Sequence, residues 1–275
     1  LKYYKRGIRT IQCTNPGALL DVVASQLARE ERPTRFDAFE LIEVGAVYLN
    51  DTRCLNPTQA IKPGDKIRIL KNPRRFKAPS DLMNRIIRES DDSILVDKPA
   101  GLPVESEIDN IKENLVTFLE NIRGQRFFLT HRLSTESEGL ILLAKNTDAK
   151  ERISHAFALG KIKRNYVAFT EAPVKIGEHA PLPITVLACE ELTAKTNLLA
   201  DGPKNWEILG DPIQRCYRVQ IEFTTLRPKE MRAHLADCGA PIVGDEVFGS
   251  RLKCVDPKTH KPAIAYRATE LTVMP

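Results

Sequence analysis

HRLSTESEGLILLAK, residues 131–145, is the stretch on which the reading of the chain turns. Its second half, GLILLAK from Gly139 to Lys145, is a short continuous apolar run that opens on a glycine. It predicts a buried strand. Its first half sets a serine, Ser134, among polar neighbours. A serine hydroxyl is protonated at pH 7 and becomes a nucleophile only beside a general base. His131 stands three residues earlier, and that spacing along an extended turn implies no hydrogen bond. Glu136 and Glu138 read as surface glutamates.

Working outward, Thr147 to Leu159 predicts a helix with Ala149, Ile153, Ala156 and Phe157 inward. Upstream, Ser93 to Val104 reads as a strand followed by a Pro/Gly turn, and Asn114 to Arg123 as a helix. Downstream, Asn165–Thr170 and Val219–Thr225 read as strands. Glu230 to Cys238 reads as a helix ended by Gly239. Residues 172–215 carry scattered Pro and Gly with weak periodicity and are the least readable part. This mixture predicts an α+β fold rather than regular βαβ winding.

The N-terminal part reads as a separate small unit. Ala18 to Arg29 is amphipathic, with Leu19, Leu20, Val23 and Leu27 as its apolar face. Asp37 is placed to cap a second short helix to Glu43. Gly45 stops that helix before a strand, and Pro63 to Leu70 gives a turn and another strand. The segment 71–88 then concentrates charge. Lys71, Arg74, Arg75, Lys77, Arg85 and Arg88 against Asp81 leave +5, as large as the net charge of the whole 275-residue chain. By charge alone it is either a solvated linker or a phosphate-contacting tether.

Composition narrows the class. The hydrophobic fraction is 42% and the charged fraction 28%, ordinary for a globular protein. No apolar run approaches the ~20 residues that span a bilayer, and no signal-peptide pattern opens the chain. It begins at Leu1 rather than methionine, which leaves room for residues upstream. The six cysteines include no Cys-x-x-Cys spacing, and none is read beside a histidine at ligand spacing. Free thiols in a reducing compartment and no metal are expected.

Four segments in order resemble the RluA-type RNA pseudouridine synthases: DDSILVDKPAGLPV, HRLSTESEGLILLAK, KRNYVAF with Tyr166, and TTLRPKEMRAHLADCGAPIVGDEVFG from Thr225 to Gly249. The ending AIAYRATELTVMP is similar to the family's closing strand. The N-terminal unit is similar to the α-L RNA-binding module of ribosomal proteins, which many members carry in front. The resemblance implies a pseudouridine synthase fold, a mixed and largely antiparallel central sheet with flanking helices. It implies a module over residues 1–72, a basic linker over 73–84 and a synthase-like domain over 85–275.

In that family an aspartate attacks the ribose, or assists removal of a ribose proton, after the target base has left the stack. The resemblance puts Ser134 at that position, with Arg132, Tyr166, Arg232 and Leu235 at matching site positions. The site itself departs further. Thr135 stands where a basic residue is usual, Glu138 replaces a serine, and Leu226 to Glu230 diverge around Arg227. The family's equivalent of Arg232 pairs with the aspartate, so here Arg232 is expected to find Glu136, Glu138, water or an RNA phosphate instead. The implied RNA contacts are Lys71, Arg74, Arg75, Lys77, Arg85, Arg88, Arg164 and Arg227. The expected partners are structured RNA, ribosomal RNA first, with ribosomal or assembly proteins. No cofactor, metal or membrane is expected, and the compartment is cytoplasm or an organelle matrix. Clustered loss at the site predicts a homologue without isomerase chemistry; the alternative is an active enzyme using a displaced carboxylate such as Glu136.

Overall fold

The computed structural model describes residues 7–29, 34–192, 198–201, 204–209, 215–223, 228–258 and 260–274. They form two compact units, Leu1–Ala78 with Glu105–Phe118, and Pro79–Val104 with Leu119–Pro275. No described helix is long and apolar enough to cross a membrane.

In the smaller unit, α1 (Leu19–Ala28) buries Leu19 and Val23, one helical turn apart. α2 (Ala38–Glu43) starts at a capping box. The Asp37 carboxylate accepts the Glu40 N–H at 2.7 Å, and the Glu40 carboxylate accepts the Asp37 N–H at 3.0 Å. Two donors that helix geometry leaves orphaned are thereby satisfied. Four antiparallel strands follow the order Ile8–Gln12, Lys66–Leu70, Val47–Leu49, Thr52–Arg53. Both helices close a core of Leu19, Val23, Leu41, Ile42, Val47, Ile61, Ile67 and Ile69.

This unit reaches further along the chain than the sequence reading drew it. Residues 105–118, read as part of the larger domain, belong to it, and so does the start of the basic segment. Arg74 grips Asp109 at 3.0 and 3.1 Å and Glu107 at 3.0 Å. Arg75 grips Glu113 at 2.6 Å, and Glu113 also accepts the Phe76 N–H at 2.7 Å. Acids more than thirty residues away hold these arginines, which no local pattern can announce.

In the larger unit, nine of the described strands form one long sheet. Its order is Gly177–Glu178, Ile184–Leu192, Cys216–Phe223, Ile162–Thr170, Tyr266–Val273, Glu138–Ala144, Ser93–Lys98, Ile86–Glu89, with Phe128–Leu129 branching off Glu138–Ala144. Every junction is antiparallel except Glu138–Ala144 against Tyr266–Val273. α3 (Leu115–Arg123) begins in the smaller unit, where the Asn114 side chain accepts the Thr117 N–H, and passes into the larger one at Leu119. α4 (Thr147–Ala158) is capped by Asn146 and buries Ala149 and Phe157. α5 runs Pro228–Asp237. A second, three-stranded sheet joins Leu198–Asp201, Lys204–Leu209 and Lys253–Val255, and its central strand carries the fully buried Trp206. The hard-to-read stretch 172–215 thus supplies an edge strand and its neighbour to each sheet. The result is a sheet-dominated α+β fold with few helices.

Candidate active site

The loop 131–137 enters the Glu138–Ala144 strand, and Gly139 decides how closely that strand meets its parallel neighbour. Gly139 has φ +105°, and a Cβ there would lie 2.0 Å from the Ala268 carbonyl oxygen. Only glycine allows this approach. The approach brings Tyr266, two residues before Ala268, against the loop. Ser134 Oγ lies 2.6 Å from Ser137 Oγ and 3.1 Å from the Tyr266 hydroxyl, and it accepts the Ser137 N–H at 3.2 Å. Ser137 and Tyr266 hydroxyls are also in hydrogen-bond contact. Burial pushes the Tyr266 phenol above its ordinary value, against the opposing pull of Arg232 and the two serines. The phenol is therefore neutral at pH 7 and able to donate.

Arg232, on α5, faces the same cluster. It is buried, and its Nε and one terminal nitrogen donate to the two oxygens of Asp245 at 2.6 and 2.7 Å. Its other terminal nitrogen is 3.6 Å from the exposed Glu136, and its guanidinium lies over the Phe248 ring at 5.1 Å. Burial lowers the guanidinium, but the bonds to Asp245 and the charges of Asp245 and Glu136 together hold it above its usual range. Of the partners expected for Arg232, Glu136 is there and Glu138 is not. The main partner, Asp245, went unnamed in the sequence reading although it stands in the quoted GDEVFG segment. The available signal was its place in that segment, an acid thirteen residues beyond Arg232.

Glu138 turns elsewhere. It is buried, not on the surface, and pairs with Lys204 at 2.9 Å, which also holds Asp256 at 2.6 Å. This triad lines a cavity of about 640 Å³ whose walls include Asp97 and Arg267 but none of Ser134, Arg232 and Tyr266. Burial raises the Glu138 carboxyl, with Lys204 pulling the other way.

The remaining predicted positions divide. Tyr166 is buried inside a ring stack, 4.8 Å from Phe223 and 6.3 Å from Tyr266 between centroids, and its strand borders a cavity of about 470 Å³ with Arg218, Arg267 and Glu270. Tyr166 is one ring removed from Ser134, and burial raises its phenol. Leu235 is fully buried one turn along α5 from Arg232, while Arg132 is exposed. His131 is no base for Ser134, since its Nε2 accepts the Leu142 N–H at 3.0 Å. Burial first and Arg164 second push its imidazole down to about 3. Arg164, read as a phosphate contact, is buried with its guanidinium over Phe223 at 4.6 Å and Phe157 at 5.6 Å. A side chain sandwiched between core rings cannot meet a phosphate at the surface.

Among the other basic positions, Lys77 and Arg88 are exposed and Lys71 is half-buried. Arg85 pairs with Asp81 at 2.9 Å. Arg227 lies outside the described residues. Lys98 was not singled out from the sequence. It is fully buried, and its amine donates to the carbonyls of Pro99, Leu102 and Thr135 at 2.9, 2.8 and 3.4 Å. It ties the Pro/Gly turn to the residue after Ser134. Burial pushes it down to about 7 despite Glu138, Glu136 and Asp97. The His179–His234–Cys238 cluster was missed as well.

Residues 92–237 match the family model described as RNA pseudouridylate synthase. Over 223 residues the chain is 27% identical to RNA pseudouridine synthase 6, chloroplastic, of Oryza sativa subsp. japonica, covering 71% of this chain but 46% of that protein. Over 259 residues it is 26% identical to Ribosomal large subunit pseudouridine synthase D of Haemophilus influenzae, covering 88% and 76%. Over 183 residues it is 32% identical to an uncharacterized RNA pseudouridine synthase of Zymomonas mobilis, covering 62% and 80%. The chain thus spans under half the length of the rice protein and about three quarters or more of the two bacterial ones.

Proposed function

The chain belongs to the RNA pseudouridylate synthase family, and from that premise we propose that it binds structured RNA without isomerising uridine. Ribosomal RNA is the proposed ligand, ribosome or RNA assembly the proposed role, with ribosomal or assembly proteins as further partners. The N-terminal unit serves as the RNA-binding module, and the protein works in cytoplasm or an organelle matrix.

One observation carries the reading. The hydroxyl of Ser134, at the position we assign to the nucleophile, bonds to two hydroxyls and an N–H, with no imidazole or carboxylate among these partners. Breaking the bond between uracil and ribose needs an ionised carboxylate to attack the sugar or to take its proton. A neutral serine among neutral hydroxyls does neither. Asp245 is the nearest fixed carboxylate to Arg232, and its two oxygens already accept from that guanidinium. Loss of a nucleophile costs on the order of 10⁶ in turnover where it has been dissected.

A second reading rests on Glu136. It is exposed and 3.6 Å from Arg232, so an arginine-associated carboxylate does stand beside the Ser134 cluster, two residues out of register. Displacement of even ~1 Å can cost about 100-fold, which sets this reading below the first.

The test is tritium release from ribosomal RNA labelled at carbon 5 of uridine, beside a binding titration. Salt-dependent binding with no release is expected. Ser134→Asp should also stay silent, because Asp245 already occupies the fork of Arg232. Release by the unaltered protein, abolished by Glu136→Gln, would overturn the proposal in favour of the second reading. Absence of any RNA binding would overturn both.

A further inference from the structure

α5 carries His234, and Cys238 follows its last residue, four positions on and one helical turn along the same face. The Cys238 N–H donates to the His234 carbonyl at 3.0 Å, which fixes that turn. His179 meets them from the far edge of the sheet. It follows the Gly177–Glu178 strand, its N–H bonds the Ile184 carbonyl at 3.0 Å, and its own carbonyl accepts the Leu182 N–H at 3.2 Å. His179 and His234 are half-buried and Cys238 is exposed, and their ligand atoms lie within 4.8 Å of one another.

The separations are those of ligands around one ion. Nδ1 of His179 is 3.0 Å from Nε2 of His234, and Cys238 Sγ is 3.6 Å from His234 Nε2 and 3.9 Å from His179 Nδ1. Around a tetrahedral zinc with bonds of about 2.0–2.1 Å to nitrogen and about 2.3 Å to sulfur, two nitrogens stand about 3.3 Å apart and a nitrogen and a sulfur about 3.5 Å. Each pair is within a few tenths of an ångström of that geometry. We propose that His179 Nδ1, His234 Nε2 and Cys238 Sγ form a three-ligand site for a zinc-type divalent cation, with its fourth position open to solvent.

The protons are arranged for it. His179 Nε2 lies 2.7 Å from the Lys175 carbonyl oxygen. A carbonyl only accepts, so Nε2 carries the hydrogen and Nδ1 presents its lone pair to the cluster. A backbone carbonyl behind a metal-bound imidazole is the usual way of fixing its tautomer. Without an ion, His234 donates its Nε2 hydrogen to that lone pair; with one, the hydrogen sits on Nδ1 of His234 and the ion takes Nε2. The Cys238 thiol gives its proton to solvent, so one proton leaves per ion bound. Two imidazoles and a thiolate favour a borderline or soft ion over magnesium or calcium.

The site joins the edge turn at 179 to the helix that carries Arg232 and Leu235, so the ion acts as a staple on the helix behind the Ser134 cluster. The proposal stands independently of whether uridine is isomerised. The test uses the full chain, stripped with a chelator, kept reduced and titrated with Co²⁺ and then Zn²⁺. One equivalent of cobalt should give a thiolate charge-transfer band with tetrahedral d–d bands, and zinc should bleach both. Cys238→Ser should abolish the charge-transfer band. His179→Ala should weaken zinc binding by about tenfold or more, since even indirect partners of a metal ligand are worth that much. Zinc should raise the melting midpoint of the unaltered protein and leave that of Cys238→Ser in place, with circular dichroism confirming that the variants fold. No stoichiometric uptake, or uptake that Cys238→Ser and His234→Ala leave unchanged, would overturn the site.

Discussion

At the scale of single residues, the site is organised by one buried ion pair and one buried neutral imidazole. Asp245 and Arg232 are both almost wholly inaccessible and share two short hydrogen bonds. Breaking such a pair from one side leaves the other charge buried and unpaired, which costs about 3–5 kcal/mol. Asp245→Ala should lower the urea midpoint by that equivalent. Ser134→Ala removes one hydroxyl from a cluster of three and should cost nearer ~1 kcal/mol. Equal losses would show that Glu136 or solvent takes over the guanidinium. His131 gives a pH signature. Its folded imidazole titrates near about 3 against the ordinary 6.5. Below pH 6.5 the unfolded chain therefore gains a proton that the folded chain refuses. The stability that His131 contributes is complete above pH 6.5 and is lost as pH falls towards 3, with a limiting slope of about 1.4 kcal/mol per pH unit. Between about pH 4.5 and 6, above the range of ordinary carboxylates, His131→Gln should flatten the decline seen in denaturant melts. A slope unchanged by the substitution would place the proton uptake elsewhere.

At the scale of elements, the parallel junction beside Ser134 depends on Gly139. A methyl group there meets the Ala268 carbonyl oxygen at 2.0 Å on a backbone of φ +105°. Backbone cannot swing aside as a side chain can. Gly139→Ala should therefore cost about 2 kcal/mol or more through strain and clash together, read by chemical denaturation. A loss of a few tenths would mean that the strands separate cheaply. Elements of this kind were largely legible, because each is written in contiguous residues: GLILLAK as a buried strand, Asp37 as a cap, and Gly239 as the stop that α5 reaches two residues past its end at Asp237. The Ile162–Thr170 strand shows a signal left unused. Period-two alternation puts Ile162, Arg164 and Tyr166 on one face, and all three are buried, which argues against Arg164 as a phosphate contact. His234 and Cys238 are likewise one helical turn apart in plain sight. Pairings across distance were not legible. Arg74 with Asp109, Lys98 with the Thr135 carbonyl and His179 with α5 depend on topology that local patterns do not carry. The strands in 172–215 were hidden for a related reason, since they draw their stability from neighbours rather than from their own periodicity.

At the scale of the whole molecule, charge decides how RNA would be held. The chain carries +5 overall, and the segment 71–88 carries as much by itself. Folding redistributes that charge: Arg74 and Arg75 are committed to acids of 105–118, and Arg85 to Asp81. Asp109 is 1% exposed, so a phosphate recruiting Arg74 would leave a buried carboxylate behind, an exchange that costs more than a solvated contact returns. Lys77 and Arg88 are exposed and can give up their counterions at little cost. On single-stranded or duplex nucleic acid each phosphate contact contributes about 0.7–0.9 to the slope of log affinity against log salt. Lys77→Ala and Arg88→Ala should each lower that slope by about this amount and leave the melting midpoint in place. Arg74→Ala should do the reverse, loosening the small unit while the slope holds. Fluorescence titrations against ribosomal RNA at several salt concentrations, paired with melts of the same variants, separate the two. If Arg74→Ala instead lowers the slope with no effect on the melt, its ion pairs open on binding, and 71–88 is a tether for phosphate rather than part of the fold.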